Sequence, residues 1–182
     1  MRTGNRLIPA LFTAAFIAAV FLGAVNTKAR TLDSLCGNLP KYSKPVSKSQ
    51  RYGDIEVTED GRRLWVYKND RLIWQLPQKI RAQDFFLDDI DHDGEKELVI
   101  LCWRVGRFGR RRPTWVETDE KTWSQHIFIY EIRDDDVKPK WMASDIGVDA
   151  VSFDHSDGVV IITDTKGEVT KWKWVSWGLE KI

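Results

Sequence analysis

The feature that most constrains the fold is a series of short segments in which apolar and polar residues alternate. In the last of them, Trp172 and Trp174 share one face while Lys171 and Lys173 share the other, which is typical of a half-buried β-strand. Between residues 52 and 76, three such segments are separated by the turn-like sequences "EDG" and "KND". The other segments are "LVILCWRV", "SQHIFIYEI", "KPKWMAS", "AVSFD" and "VVIITD". No window shows amphipathic helix spacing, so the sequence predicts an all-β fold of antiparallel meanders.

Two parts of the chain resemble each other. "IEVTEDGRRLWVYKNDRLIWQL" and "IITDTKGEVTKWKWVSWGLEKI" both read as a strand, a charged turn containing Gly, a strand with Trp, a polar step and a last strand. Repeated meanders are the pattern of a β-propeller, but about 130 residues are too few for a closed ring. We therefore expect an incomplete or divergent β-propeller-like assembly, with a small barrel or sandwich as the alternative.

The N-terminal 29 residues read as an export segment. Arg2 and Arg6 precede an apolar run over residues 7–25, which is longer than the apolar region of most signal peptides and close to a membrane span. The sequence thus predicts one N-terminal apolar helix that anchors the chain in a membrane and leaves its body extracytoplasmic. The alternative is a signal peptide cleaved near Ala29, which would release a secreted protein.

Three regions follow from this pattern. Residues 1–29 are the signal peptide or signal-anchor, residues 30–51 a polar linker with prolines and serines, and residues 52–182 a β-rich extracytoplasmic domain. The net charge of +1 gives no reason to expect a nucleic-acid partner.

Both cysteines, Cys36 and Cys102, fall in the exported part. In an oxidising compartment they could form a disulfide between the linker and a middle strand. The alternative is that Cys102, within "LVILCW", is simply a buried apolar residue and Cys36 is free.

The densest charge lies in "LDDIDHDGEKELVI", residues 87–100. Counting from Asp89, carboxylates recur at alternate positions, and Gly94 at the sixth position permits a sharp turn. Alternate carboxylates that converge on one point favour a hard cation, most naturally Ca²⁺. An EF-hand is excluded because its twelfth position is Ile100 and the flanks are strand-like. A solvated acidic turn without metal is the alternative. The carboxylates are Asp89, Asp91, Asp93, Glu95 and Glu97.

The same stretch resembles the FG-GAP or VCBS repeat of integrin-α-like β-propellers, which carries a D-x-D-x-D-G-x-x-D/E loop. The resemblance covers about residues 84–103. It implies side-chain ligation of Ca²⁺ by Asp89, Asp91, Asp93 and Glu97, with the backbone carbonyl of Glu95 as a further ligand. It also implies a bacterial source. "FDHSDG" at 153–158 is one residue out of phase, so only one metal site is expected.

The segment "WRVGRFGRRRPTW" contains five arginines in a sequence broken by Gly and Pro. As a loop it could bind a phosphate or carboxylate through guanidinium groups, or its arginines could pair internally with the Asp-rich turn or with "ETDE" at 117–120. The residues expected to bind an anion are Arg107, Arg110, Arg111 and Arg112.

Enzymatic motifs are missing from the sequence. His92, His126 and His155 are scattered, and Ser124 lies two residues from His126 on one strand face without being a catalytic pair. The sequence therefore favours a membrane-tethered binding or accessory module for an envelope polymer, glycan or protein partner. A structural subunit of an envelope complex is the alternative, and a hydrolase is a weaker one.

Overall fold

The structure, a computed structural model, describes residues 38–108 and 112–182. Those residues form twelve β-strands, and no helix occurs among them. The strands make three four-stranded sheets in which consecutive strands pair antiparallel. The prediction of an all-β fold built from antiparallel meanders is confirmed.

Each sheet takes four consecutive strands. The first sheet contains β1 (Lys48–Tyr52), β2 (Ile55–Asp60), β3 (Arg63–Lys68) and β4 (Arg71–Gln75). The second contains β5 (Ile80–Asp88), β6 (Glu97–Val105), β7 (Trp123–Arg133) and β8 (Asp136–Met142). The third contains β9 (Ala150–Ser156), β10 (Val159–Asp164), β11 (Val169–Val175) and β12 (Gly178–Lys181).

Short turns set these hairpins. Between β3 and β4 the chain reverses through Asn69 and Asp70, whose φ angles are 48° and 61°. Two consecutive left-handed residues make a turn whose twist matches that of the strands, and Asn and Asp tolerate this conformation better than other side chains. The turn predicted at "KND" is therefore confirmed.

The second sheet is buried on both faces. One face packs against the first sheet, where Val57, Leu64 and Val66 meet Ile100 and Phe128 in a single apolar cluster. The opposite face packs against the third sheet in a second cluster, whose members include Phe86, Val99, Ile129, Phe153 and Ile162. Burial on both faces explains why "LVILCW" is apolar at successive positions and does not alternate.

The structure departs from the sequence prediction at two strands. The polar linker expected over residues 30–51 ends earlier, because β1 begins at Lys48 and pairs with β2. Strand β5 was not among the predicted segments, since Gln83 and Asp84 interrupt its apolar pattern at a register shift. The expected N-terminal helix lies outside the described residues.

The two similar segments occupy equivalent places. Residues 55–76 supply β2 to β4 of the first sheet, and residues 161–182 supply most of β10 with β11 and β12 of the third. Both therefore contribute the second, third and fourth strands of a meander.

Candidate functional site

The acidic loop, defined as residues 88–97, connects β5 to β6. The two strands pair as far as Asp88 and Glu97, so both ends of the loop are held by the central sheet. Inside it, the Asp89 carboxylate accepts hydrogen bonds from the backbone N–H groups of Asp93 (3.0 Å) and Gly94 (2.9 Å). These bonds fold the loop tightly, as Asp side chains commonly do in turns.

Three of the predicted ligand side chains converge. Asp89, Asp91 and Glu97 each offer a carboxylate oxygen, and these oxygens all lie within 4.8 Å of one another. Oxygens that share a Ca²⁺ ion at about 2.3–2.6 Å are separated by no more than about 5 Å, so this spacing fits the ion. In addition, Asp91 Oδ1 is buried and has no hydrogen-bond partner among the described residues.

Asp93, the fourth predicted side-chain ligand, lies apart from this group. Asp93 accepts a hydrogen bond from the Glu95 backbone N–H at 2.9 Å, and its other oxygen lies 3.9 Å from Arg133. The Glu95 side chain is exposed, and ligation by the Glu95 backbone carbonyl, which the resemblance implies, stays a prediction. The loop thus brings together three carboxylates of the predicted set.

A lysine from another strand reaches the same carboxylates. Lys140 of β8 donates hydrogen bonds to Asp91 and, at 2.8 Å, to Glu97, and its ammonium lies 3.7 Å from Glu131. Burial opposes the charge of Lys140, but the hydrogen bonds to Asp91 and Glu97 outweigh it and raise its pKa. Burial also raises the pKa of Glu97, although Lys140 acts in the opposite direction. The sequence carried no signal for Lys140, because β8 is distant along the chain.

The loop also contacts the third sheet through Asp88. The Asp88 carboxylate lies 2.9 Å from His155 Nδ1 and accepts the backbone N–H of Gly158 at 3.1 Å. Burial disfavours the charge of Asp88, but these hydrogen bonds prevail and lower its pKa. Gly158 has φ +72°, and a Cβ atom there would lie 2.8 Å from the His92 ring and 3.2 Å from the Asp89 carbonyl. The β9–β10 turn therefore fits closely against the acidic loop.

No family model and no curated protein matches this chain. The likeness to FG-GAP repeats accordingly stays a prediction that rests on residues 84–103.

The arginine segment is partly described. Arg107 Nε lies 3.2 Å from Asp145 and its Nη1 lies 3.9 Å from Glu120, while its backbone N–H donates to Asp119 at 2.8 Å. Arg107 thus makes the kind of internal pairing considered for this segment, with "ETDE" among its partners. Arg112 is exposed, and Arg110 and Arg111 lie outside the described residues. Anion binding by these arginines stays a prediction.

Cys102 is fully buried in the cluster between the first two sheets, and burial raises the pKa of its thiol. Cys36 lies outside the described residues, so the disulfide stays a prediction.

Ser124 and His126 form a hydrogen bond that the sequence did not predict. His126 Nδ1 lies 3.1 Å from the Ala143 carbonyl, which can only accept, so Nδ1 carries the proton. Burial lowers the pKa of His126, so the ring is neutral and its Nε2 is an acceptor, 2.8 Å from Ser124 Oγ. The Gly106 carbonyl accepts from the same hydroxyl at 2.9 Å, so two acceptors share its one proton. His126 is fully enclosed. The pair satisfies two buried polar groups.

In the part of the chain that the structure describes, no helix is long and apolar enough to cross a membrane. The apolar run at residues 7–25 lies outside that part.

Proposed function

We propose that the protein is an exported, membrane-tethered β-rich binding module in which a calcium ion stabilises the acidic loop. The convergence of Asp89, Asp91 and Glu97 within 4.8 Å is the observation that carries the metal part of this proposal. When bound, the ion would supply positive charge where three carboxylates meet, and so would hold β5 and β6 together at their loop end.

The charge balance around the loop supports a divalent cation. Two basic side chains, Lys140 and Arg133, face five carboxylates at the loop. These carboxylates belong to Asp89, Asp91, Asp93, Glu97 and Glu131. Two positive charges leave several carboxylates of this group uncompensated, and neighbouring like charges destabilise a loop unless a cation joins them. Lys140 occupies part of the same carboxylate set, so we expect it to weaken the affinity for the ion without replacing it.

The proposal also includes a more specific fold, an incomplete β-propeller-like assembly. Three consecutive four-stranded meanders, the first and third built from similar sequence segments, support blades of an incomplete β-propeller-like assembly. The FG-GAP-like spacing of the loop supports the same reading. The apolar run at residues 7–25 supports the membrane tether and the extracytoplasmic location of the domain.

A second candidate function is that of a structural subunit in an envelope complex. The observation that favours it is the exposure of large apolar side chains, including Leu72 at 49%, Val169 at 57% and Trp177 at 68%. Leu72 lies on the first sheet and Val169 on the third, so a partner would have to reach more than one sheet to cover them. Contiguous exposed apolar surface is typical of contacts with a partner, whereas single exposed apolar residues are common. Light scattering of the purified chain separates the two: a monomer supports the module, and an obligate oligomer supports the subunit.

The test of the calcium proposal is thermal unfolding in excess Ca²⁺, in Mg²⁺ and in chelator. At ten times the dissociation constant, binding to the folded state adds about 1.4 kcal/mol, which raises the melting temperature by a few degrees. Asp91→Asn should abolish this rise, whereas Glu95→Gln, which alters an exposed side chain of the same loop, should keep it. Equal melting in calcium and chelator, together with no calcium heat in calorimetry, would refute the proposal.

A further inference from the structure

A cleft of about 460 Å³ opens at the end of the central sheet opposite the acidic loop. Its walls include Tyr42, which precedes β1, and Trp123 at the start of β7, with Trp103 of β6 beneath. The Tyr42 and Trp103 rings lie 5.9 Å apart, centroid to centroid. We call this feature the Tyr42 cleft.

The charge of the Tyr42 cleft is acidic. Glu120, Asp145 and Asp149 line it, and no lysine or arginine occurs among the described residues that do. Arg107 lies beside two of these acids, 3.2 Å from Asp145 and 3.9 Å from Glu120. A second guanidinium, that of Arg81, lies 5.9 Å from the Trp123 ring centroid. Two guanidinium groups against three carboxylates still leave the cleft with a net negative charge.

The base of the cleft is held in place by buried amides. Trp103 Nε1 donates to Gln83 Oε1 at 2.6 Å, and Gln125 Nε2 donates to the same oxygen and to the Ala150 carbonyl, both at 2.9 Å. The Ala150 N–H in turn donates to Gln125 Oε1 at 2.8 Å. A satisfied network of buried polar groups keeps a site in one shape before any ligand arrives.

The same hydrogen bonds decide what the cleft can recognise. Tyr42 O–H donates to Asp149 at 2.6 Å, and the Ser124 hydroxyl has two acceptors within the protein, the Gly106 carbonyl at 2.9 Å and His126 Nε2 at 2.8 Å. With Trp103 and Gln125, four lining side chains thus direct their donors at the protein itself. The groups of the lining that remain for a ligand are carboxylate oxygens and aromatic surface. A ligand that suits this lining brings donors and positive charge.

We propose that the Tyr42 cleft binds an alkylammonium group, presented either by a free polyamine or by a lysine-rich peptide. This inference rests on the proposed function of a binding module and names the chemical class of its ligand. Both Asp145 oxygens have partners, the Gly147 N–H and Arg107, so the ammonium would donate to the carboxylates of Glu120 and Asp149. Its alkyl chain would pack on the Tyr42 ring.

Isothermal calorimetry on the purified full-length chain tests this with three probes: spermidine, an acetylated tri-lysine amide, and the neutral glycan chitotriose. We expect at least one cationic probe to bind, more weakly as salt is raised, and chitotriose not to bind. Binding of spermidine alone would identify a polyamine site, and binding of the peptide alone a lysine side-chain site.

Two substitutions remove charge from the rim while keeping size and one acceptor oxygen. Asp149→Asn and Glu120→Gln should each weaken the cationic probe about tenfold, and the double variant about a hundredfold. Glu180→Gln, which alters an exposed carboxylate on β12, is the matched control and should bind as the unaltered chain does. Unchanged melting temperatures would show that the variants fold.

The ammonium site would be overturned by failure of both cationic probes, by equal affinity in the double variant, or by chitotriose binding that ignores both substitutions. The calcium proposal is tested separately. A chain stabilised by calcium that ignores the cationic probes would overturn the cleft alone, and the reverse result would overturn the calcium loop alone.

Discussion

Replacing Glu59 by glutamine should make the protein more stable relative to the unaltered chain as the pH rises. Glu59 lies on β2 with only 1% of its surface exposed, and neither carboxylate oxygen has a hydrogen-bond partner within the described residues. Burial and the nearby Asp84 raise the pKa of Glu59 to about 8, although Lys48 and Arg62 act in the opposite direction. The folded protein therefore keeps this carboxyl protonated at neutral pH.

The sign follows from proton linkage. In the unfolded chain the carboxyl titrates near its ordinary pKa of 4.5, whereas in the folded chain it titrates near 8. Between these values the folded state holds a proton that the unfolded state has lost, so raising the pH favours unfolding. The free energy of unfolding is therefore highest below pH 4.5. It decreases as the pH rises and levels off once the pH has passed about 8.

The magnitude comes from the same two values. One pKa unit corresponds to about 1.4 kcal/mol, so ionisation of Glu59 in the unfolded state costs about 1 kcal/mol at pH 5, about 3 kcal/mol at pH 7 and about 5 kcal/mol at pH 9. Glutamine does not titrate and avoids this cost. Its buried amide adds a penalty that does not depend on pH, so the informative quantity is the change with pH.

Urea unfolding at pH 5, 7 and 9, followed by tryptophan fluorescence, measures how the free energy of unfolding changes with pH. The free energy of unfolding of Glu59→Gln, relative to the unaltered chain, should increase by about 4 kcal/mol between pH 5 and pH 9. Glu56→Gln is the control on the same strand. Hydrogen bonds from Ser49 and Arg51 lower the pKa of Glu56. Glu56 is therefore ionised in both states over this range, and its variant should show almost no change between pH 5 and pH 9. Parallel curves for Glu59→Gln and the unaltered chain would refute the reasoning, because they would mean that Glu59 is ionised and neutralised in the fold.

Three further predictions concern the acidic loop. Lys140→Met should lower the free energy of unfolding by about 1–3 kcal/mol in chelator, because it leaves the carboxylates of buried Glu97 and largely buried Asp91 without their ammonium partner. Calcium should restore part of this loss, and equal losses in calcium and in chelator would contradict calcium binding at the loop. Asp88→Asn should destabilise the chain at pH 7, and this effect should shrink as the pH falls from 3.8 through the lowered pKa of folded Asp88, because the folded carboxylate must then be protonated too. Urea unfolding at pH 7 and at a series of acidic pH values checks this, and a constant effect would contradict it. Gly158→Ala should lower the melting temperature more than Gly167→Ala, because both positions have positive φ but only Gly158 would meet the loop; equal shifts would show that the loop yields without cost.

Local patterns were enough to predict the fold class. Alternation of apolar and polar residues in segments such as "KWKW" reflects the two faces of a strand, and a turn such as "KND" reflects the few residues that tolerate a left-handed backbone. Both depend on neighbours in the chain, so the sequence alone predicted antiparallel meanders. It missed β5, where Asp84 interrupts the pattern, and β1, which is polar because it lies at the edge of its sheet.

The spacing of the acidic loop was likewise local. The structure brings the carboxylates of Asp89, Asp91 and Glu97 within 4.8 Å of one another, and their binding of a metal ion stays a prediction. What the spacing did not contain were the partners that other strands bring to the loop. Lys140 reaches it from β8, and His155 reaches Asp88 from β9, because sheet stacking joins residues far apart in sequence. The contacts of Tyr42 with Asp149 and of Arg107 with Asp145 have the same origin. Charge and strand identity follow from the order of residues, whereas the neutralisation of a buried charge and the shape of a cleft depend on which strands the three packed sheets bring together.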